Sequence, residues 1–416
     1  MKTTRREFVK TASAAAIGAS LARKLAKAQP QTPSGGKSYD VAVVGAGVFG
    51  AWIAHTLQKK GRKVALLDAY GAGNARSSSG GQTRVIRMGY GDQEIYTRWS
   101  MRSLELWKAL FAEVDRPFFQ PAGVLWMARS EDPLTTKSLA TLKRFGVKHE
   151  RLDRAELDRR WPQIDFGPTT WAIHEPESGF LVAFRAVQAV VADAMAKGVE
   201  FIPEAVAPPE GKGRLGSIAT RSGRTVSAET FVFACGPWLP KVFPELLGDR
   251  IFPTRQEVFY FGIPRGDGRF RAPAMPVWVD FAEEIYGIPD YEARGFKVAP
   301  DRHGAAFDPD DGMRVITPQT LASVREFVNR RFPPLRDAPL VGSEVCQYEN
   351  TSNGDFLIDR HPDHENLWLV GGGSGHGFKH GPAIGEYVTA RILEGGAGEA
   401  RFSLATKEKV QKRAVY

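Results

Sequence analysis

Apolar positions gather first in Asp40-Val-Ala-Val-Val44, a run that reads as a buried strand, and the period then changes. Over residues 51–59, Ile53, Ala54 and Leu57 recur at helical spacing, Gly61 closes the segment, and residues 64–67 (Val-Ala-Leu-Leu) return to a strand. Residues 95–111 predict a second helix with Trp99, Leu106 and Leu110 on its core face. A third is marked by Phe184, Val187, Val191 and Met195 and ends at Gly198. Residues 199–202 and 230–234 read as strands that bring the chain back to the first fold. From 251 to 339 the pattern alternates like strands, at 256–261 and 277–281, between loops rich in Pro and Gly. Residues 116–177 are mixed and charged, carry Trp126, Trp161 and Trp171, and show no catalytic pattern. Together these predict an α/β architecture, α+β overall, with one discontinuous domain and a second, sheet-based one.

Between the first strand and helix lies Gly45-Ala-Gly47-Val48-Phe49-Gly50, and Asp68 follows the next strand. Gly45 makes a tight turn, Gly47 lets backbone approach a pyrophosphate, and Gly50 lets the helix pack on the strand. The helix N-terminus offers N–H groups to the anion, while Asp68 accepts from ribose hydroxyls. Glycines alone are a weak signal; strand, glycines, helix, strand and acid in order predict dinucleotide binding. This unit leaves FAD and NAD both open.

The other informative stretch runs from Cys346-Gln-Tyr348 through Asp355 and Asp359-Arg-His-Pro to Gly371-Gly-Gly373-Ser-Gly375-His376-Gly377-Phe-Lys379. It is similar to the C-terminal signature of the monomeric sarcosine oxidase family, which includes N-methyltryptophan, pipecolate and fructosyl-amino-acid oxidases. A second segment, Ser77-Ser78-Ser79-Gly80-Gly81-Gln-Thr83-Arg84-Val-Ile-Arg87-Met-Gly-Tyr90, resembles the family's segment beneath the flavin ring. Tyr286 precedes Lys297 by eleven residues, the family's separation for a tyrosine over the substrate and a lysine at the flavin face. The turn at Cys235-Gly236 resembles the family's second glycine contact with the cofactor. Val206 is a further expected cofactor contact.

The resemblance implies a Rossmann-type FAD-binding domain over 38–115, 178–250 and 340–400, a substrate domain over 116–177 and 251–339, and a tail from 401. It implies FAD, bound covalently through Cys346, with Ser78, Thr83, Arg84, Gly373, Gly375, His376, Gly377 and Lys379 around it. Arg87 and Lys379 would clamp a substrate carboxylate, with Tyr90, Tyr286 and Tyr348 shaping the pocket and His376 hydrogen-bonding near the substrate. A guanidinium can grip a carboxylate in bidentate fashion and an ammonium acts as a point charge. The implied reaction is oxidation of a secondary or N-substituted amino acid. Hydride passes to flavin N5, water hydrolyses the imine, and O2 accepts the electrons to give H2O2. Lys297 as an ammonium would promote the oxygen step; a unit charge at ~4 Å and an effective dielectric near 20 contributes up to ~4 kcal/mol. The rival is an exported dehydrogenase passing electrons to a quinone or cytochrome. Two departures stand out: Ser79 and Gly80 replace a histidine pair, and Asp301 replaces a histidine, with His303 two residues on.

Charge sharpens the picture rather than opening a new one. Of the net +9, the first 28 residues hold +6, from seven Lys and Arg against Glu7 alone. The remaining +3 gives no case for a nucleic-acid partner. That leader, Thr4-Arg5-Arg6-Glu7-Phe8-Val9-Lys10, a mild apolar run to Ala22, then Arg23-Lys24, resembles a twin-arginine export signal. Ala26-Lys27-Ala28 fits its cleavage site, with a mature start near Gln29. The resemblance implies the twin-arginine translocation machinery as partner, a periplasmic or extracellular location, no membrane anchor, and a monomer. Cys235 and Cys346 invite a disulfide in an exported chain, but Cys346 is better explained by flavin attachment. Three metal-like patterns fail on spacing. Glycines flank His376 and His380, His361 and His364 lack a third ligand, and Gly312 stands where a calcium loop needs a ligand.

Overall fold

The computed structural model describes residues 38–130 and 132–412. The expected leader and its cleavage site lie outside the described residues. The unit Tyr39–Tyr416 contains the fold.

Its first sheet has strands in the order Leu357–Arg360, Leu367–Gly371, Thr225–Phe233, Ser38–Val44, Val64–Leu67 and Glu200–Ile202, with Ser217–Ala219 paired to the side. Ser38–Val44, Val64–Leu67 and Glu200–Ile202 run parallel. Such strands are buried on both faces, so they read as continuous apolar runs rather than alternating ones. The helices Val48–Lys59 and Ala183–Ala196 contribute Ala51, Ile53, Ala54, Val187 and Val191 to the core beside Val41 and Val43.

The second sheet is eight-stranded, in the order Leu340–Thr351, Ile251–Phe261, Phe296–Pro300, Ile285–Ile288, Val277–Asp280, Val124–Ala128, Trp171–Glu175 and Glu150–Asp153. Leu340–Thr351, grouped by sequence with the nucleotide fold, pairs along Ile251–Phe261 in this sheet instead. It therefore reaches from one sheet to the cofactor side of the other. A small sheet of Thr83–Ile86, Gly179–Val182 and Phe119–Gln120 carries Arg84.

Several expectations need correcting. Residues 318–331, inside the stretch expected to hold strands and loops alone, form a helix: Thr317 accepts the N–H of Thr320, and Pro318 sits at the first helical position. Its Val324, Phe327 and Val328 pack against the second sheet, with Phe327 stacked 5.6 Å from Trp278. In the helix Glu94–Glu113 the core face is turned from the predicted one, with Tyr96, Leu104, Trp107 and Leu110 buried and Trp99 and Leu106 at its margin. Met195 is exposed, and Ala194 takes the inward position. The tail is no loose end: Phe402 is fully buried against Tyr96, Trp99 and Phe356.

Candidate active site

The glycine turn opens the larger of two adjoining cavities, a cleft of about 290 Å³. Gly45 holds φ at +103°, and a Cβ there would fall 2.3 Å from the Ala234 carbonyl; one at Gly50 would fall 1.8 Å from the Gly45 carbonyl. Helix and strands can close on one another only without those side chains. Asp68 fixes the turn, accepting from Ala46 N–H at 2.7 Å and from Tyr70 and Gly71 N–H at 2.8 and 2.9 Å. Burial raises its pKa, and those three backbone donors oppose the shift. Gly45, Gly47, Val48, Phe49, Asp68, Ser78, Val206, Cys235, Gly236, Gly373, Gly375 and Gly377 all line the cleft.

Ser79 and Gly80 each have a local role. A Cβ at Gly80 would sit 2.0 Å from the Asn74 carbonyl, so no larger residue fits. Ser79 accepts the N–H of Val48, in the first turn of the helix, at 3.0 Å. Three buried atoms of cleft residues, Ser78 Oγ, Gln347 Oε1 and Glu349 Oε2, have no hydrogen-bond partner among the described residues. Glu349 was not anticipated; burial pushes its carboxyl up to about 7. Orphaned polar atoms along a cleft that begins at a glycine turn fit a long polar cofactor such as FAD.

The smaller cavity, about 70 Å³, shares Arg84, Cys346, Tyr348, Gly375 and Phe378 with the cleft, so the two adjoin there. It is walled further by Arg87, Trp126, Tyr286, Asp301, His376 and Lys379. Arg87 and Lys379 are 6% and 2% exposed. The Arg87 guanidinium lies 4.0 Å from the Tyr90 ring centre and 4.7 Å from that of Trp126, and donates to the Gly89 carbonyl. Lys379 Nζ donates to the Tyr90 hydroxyl at 2.7 Å and the His376 carbonyl at 2.8 Å, which leaves one donor of an ammonium. Burial, then the neighbouring Arg87, press the Lys379 pKa well down. An anion in this cavity would reverse that pressure.

Glu175 anchors the arrangement. Fully buried, it accepts from the N–H groups of Met88 and Gly89 and from Trp126 Nε1, all at 2.8 Å, and from Ser178 Oγ at 2.6 Å. The residues after Arg87 and the tryptophan above it are thus held by one carboxylate. The stretch 116–177, which shows no catalytic pattern in sequence, supplies both Trp126 and Glu175. The only sequence signal was an acid closing an apolar strand.

Other predicted residues are placed differently from expectation. Tyr90 does not line the cavity: it is 1% exposed and supports both cations from behind. Lys379 and His376 line the smaller cavity rather than the cleft. His376 has its ring nitrogens on the Gly354 carbonyl (3.0 Å) and the Tyr90 hydroxyl (3.3 Å) and stacks on Phe356. Its ring therefore orders the wall. Thr83 is absent from the cleft wall because its carbonyl accepts from Arg84 Nη1 and Lys297 Nζ, both at 2.9 Å. Lys297 and Thr83 border a separate space of about 10 Å³. Burial, then Arg84, bring the Lys297 pKa down to about 7, so the permanent ammonium expected there is replaced by a group that titrates near neutrality.

Cys346 Sγ sits where the two cavities meet, 3.2 Å from Arg84 Nη2. Cys235 is also a free thiol, and burial pushes its pKa up. Among the described residues no group of three or more His, Cys, Asp and Glu is placed to hold a metal, and no helix is long and apolar enough to cross a membrane.

Comparison with known proteins places this geometry. Residues 40–391 match the family described as DAO, FAD dependent oxidoreductase. The chain is 30% identical over 393 residues to monomeric sarcosine oxidase of Bacillus sp. (strain B-0618), covering 91% of this chain and 99% of that protein. It is 28% identical over 368 residues to N-methyl-L-tryptophan oxidase of Salmonella arizonae, covering 86% and 95%. The L-proline dehydrogenase structure from P. horikoshii superposes with a TM-score of 0.75 at 21% identity, over 88% of this chain and 97% of that one.

Proposed function

The chain belongs to the DAO family of FAD-dependent oxidoreductases, and from that premise we propose that it is a sarcosine-oxidase-like oxidase of secondary or N-substituted amino acids. The observation that carries this reading is the small cavity that presents Arg87 and Lys379 together and adjoins the nucleotide cleft at Arg84, Cys346 and Tyr348.

Gly45, Gly47 and the first turn of the helix Val48–Lys59 would take the pyrophosphate and Asp68 the ribose, with Ser78, Val206, Cys235, Gly236 and Gly373 along the remaining wall. FAD, when bound, supplies the acceptor for a hydride from the carbon next to nitrogen and hands its electrons to O2, which leaves as H2O2. The protein's own part is placement. Arg87 grips the substrate carboxylate, its plane fixed between Tyr90 and Trp126, and Lys379 adds a point charge. With the acid held, Tyr286 and Tyr348 confine the amine end. Water admitted afterwards would hydrolyse the imine. Cys346, the thiol at the junction, is the proposed point of covalent attachment. Lys297, buried beside Arg84 and charged below pH about 7, would stabilise negative charge developing on oxygen.

A peroxide-coupled screen of sarcosine, other N-methyl amino acids, proline, pipecolate and glycated amino acids tests the reading on the purified yellow protein. At least one should yield peroxide readily, and simple amines without a carboxylate should yield it only at a far lower rate. A colourless protein that refuses FAD would end the proposal. In the same preparation, acid precipitation should leave the colour with the pellet, and a yellow supernatant would remove Cys346 from its role alone.

The reading extends to location. The chain would leave the cytosol folded and loaded through the twin-arginine machinery and work in the periplasm or outside as a monomer, a route suited to a cofactor inserted before export. Arg5→Lys with Arg6→Lys should retain full-length protein in the cytosol, whereas the wild type should start near Gln29; equal distribution of both would overturn export.

A further inference from the structure

The strand Phe296–Pro300 carries Lys297 and ends at the small cavity, where Asp301 turns inward. Its backbone N–H donates to the Glu284 carbonyl at 2.7 Å, which sets the direction of the side chain. Its carboxylate accepts from the Tyr348 hydroxyl at 2.8 Å, the one side-chain hydrogen bond it makes among the described residues. Burial raises the Asp301 pKa, and the Tyr348 hydroxyl opposes the shift, as do Arg87 and Lys379, which line the same cavity and act through space without pairing with it. The other carboxylate in the wall, Glu257, is already engaged: Arg255 donates to it at 3.0 Å and the Thr317 N–H at 2.9 Å. Glu284 faces Arg302, 3.2 Å away. Asp301 is thus the one acid of this wall without a cation.

A cavity with two cations and an unpaired carboxylate matches a molecule carrying both signs. A bare carboxylic acid would satisfy Arg87 and Lys379 but bring an apolar end against Asp301, which burying a charge without a partner makes costly. A zwitterion places opposite charges against both. We propose that Asp301 binds the cationic nitrogen of the substrate, so that the site takes up amino acids in their zwitterionic form, and accepts the ammonium proton before hydride leaves the neighbouring carbon. This rests on the amino-acid reading given above and adds to it the recognition of the amine. Tyr348 is the orienting group: its hydroxyl holds one carboxylate oxygen and leaves the other for the ammonium.

Two isosteric ligands separate charge from shape, betaine and 3,3-dimethylbutanoate, which differ in having nitrogen or carbon at the branched centre. Neither carries an N–H to be lost, so both can be titrated calorimetrically into the FAD-loaded enzyme without turnover. The wild type should prefer betaine by about tenfold or more, ~1.4 kcal/mol. Asp301→Asn keeps an acceptor for Tyr348 and removes the charge. In that variant the preference should fall toward one through weaker betaine binding, with 3,3-dimethylbutanoate bound at least as well as before. An unchanged preference in the variant, or equal loss for both ligands, overturns the assignment. Equal binding of the two by wild type would also overturn it while the carboxylate clamp stands. Binding of neither would remove the clamp itself, and this assignment with it.

Discussion

At pH 6, Lys297→Met is expected to slow the oxygen reaction of the chemically reduced enzyme by about a thousandfold while leaving anaerobic reduction by substrate within a few-fold of wild type. The size follows from one charge: a cation beside developing superoxide, at an effective dielectric near 20, is worth up to ~4 kcal/mol, and 1.36 kcal/mol is tenfold in rate. The same burial that makes the charge effective makes it titrate near neutrality. With its pKa brought to about 7, Lys297 is charged below that pH and neutral above it. The oxygen rate constant should therefore fall as pH rises through about 7, and the methionine variant should lose that dependence. Stability should move the other way. In the unfolded chain this lysine keeps its proton to far higher pH, so between about 7 and 10 the unfolded state binds more protons and folding stability rises with pH. Methionine, free of the desolvation cost, should melt several degrees higher at pH 6. Stopped-flow mixing with oxygen and a melting curve check the two halves. A variant that reacts with oxygen as fast as wild type would sink the oxidase reading of Lys297. Wild-type indifference to oxygen would favour the dehydrogenase that delivers electrons to a quinone or cytochrome.

Lys297 also shows what the chain discloses in one dimension and what it withholds. The strand, glycine turn, helix and following acid are neighbours in sequence, so period and spacing suffice to read them. Arg84, Arg87, Cys346 and Lys379 are singled out by motifs that resemble a known family, and Lys297 by its spacing from Tyr286. What stayed hidden depends on contacts between distant residues. Trp126 reads as one more core aromatic until it is seen over Arg87, and Glu175 reads as the solvated end of a strand until its four donors are counted. Asp301 stands where the resembled family has a histidine, and its inward direction is seen only from the hydrogen bond of Tyr348, far along the chain. The resemblance puts Tyr90 in the pocket, but the backbone after the arginine turns its ring beneath the guanidinium. The helix Pro318–Arg331 carried a readable start in Thr317-Pro318, which the alternation around it concealed.

Arg87→Gln is expected to lower kcat/KM for the amino-acid substrate by two to three orders of magnitude. A carboxylate bound by a buried guanidinium loses charge-assisted hydrogen bonds, and cutting one partner of such a pair costs ~2–5 kcal/mol. Arg87 is rigid before substrate arrives, packed between Tyr90 and Trp126 with Glu175 holding the backbone beyond it, so little ordering remains to be done on binding. Lysine in its place should fail almost as badly, because it cannot span the same stack or bind in bidentate fashion. Lys379→Met should cost less than Arg87→Gln. It removes one charge whose pKa burial already depresses, and frees the Tyr90 hydroxyl from its donor. The double variant should lose less than the product of the two single losses, since both cations hold one acid group and removing either loosens the other's grip. The control that separates recognition from damage is an amine without a carboxylate: wild type and Arg87→Gln should turn it over at the same low rate. Near-wild-type kcat/KM for the amino acid in Arg87→Gln, or equal loss for both kinds of substrate, would mean that the cations of this cavity serve the fold and not the substrate.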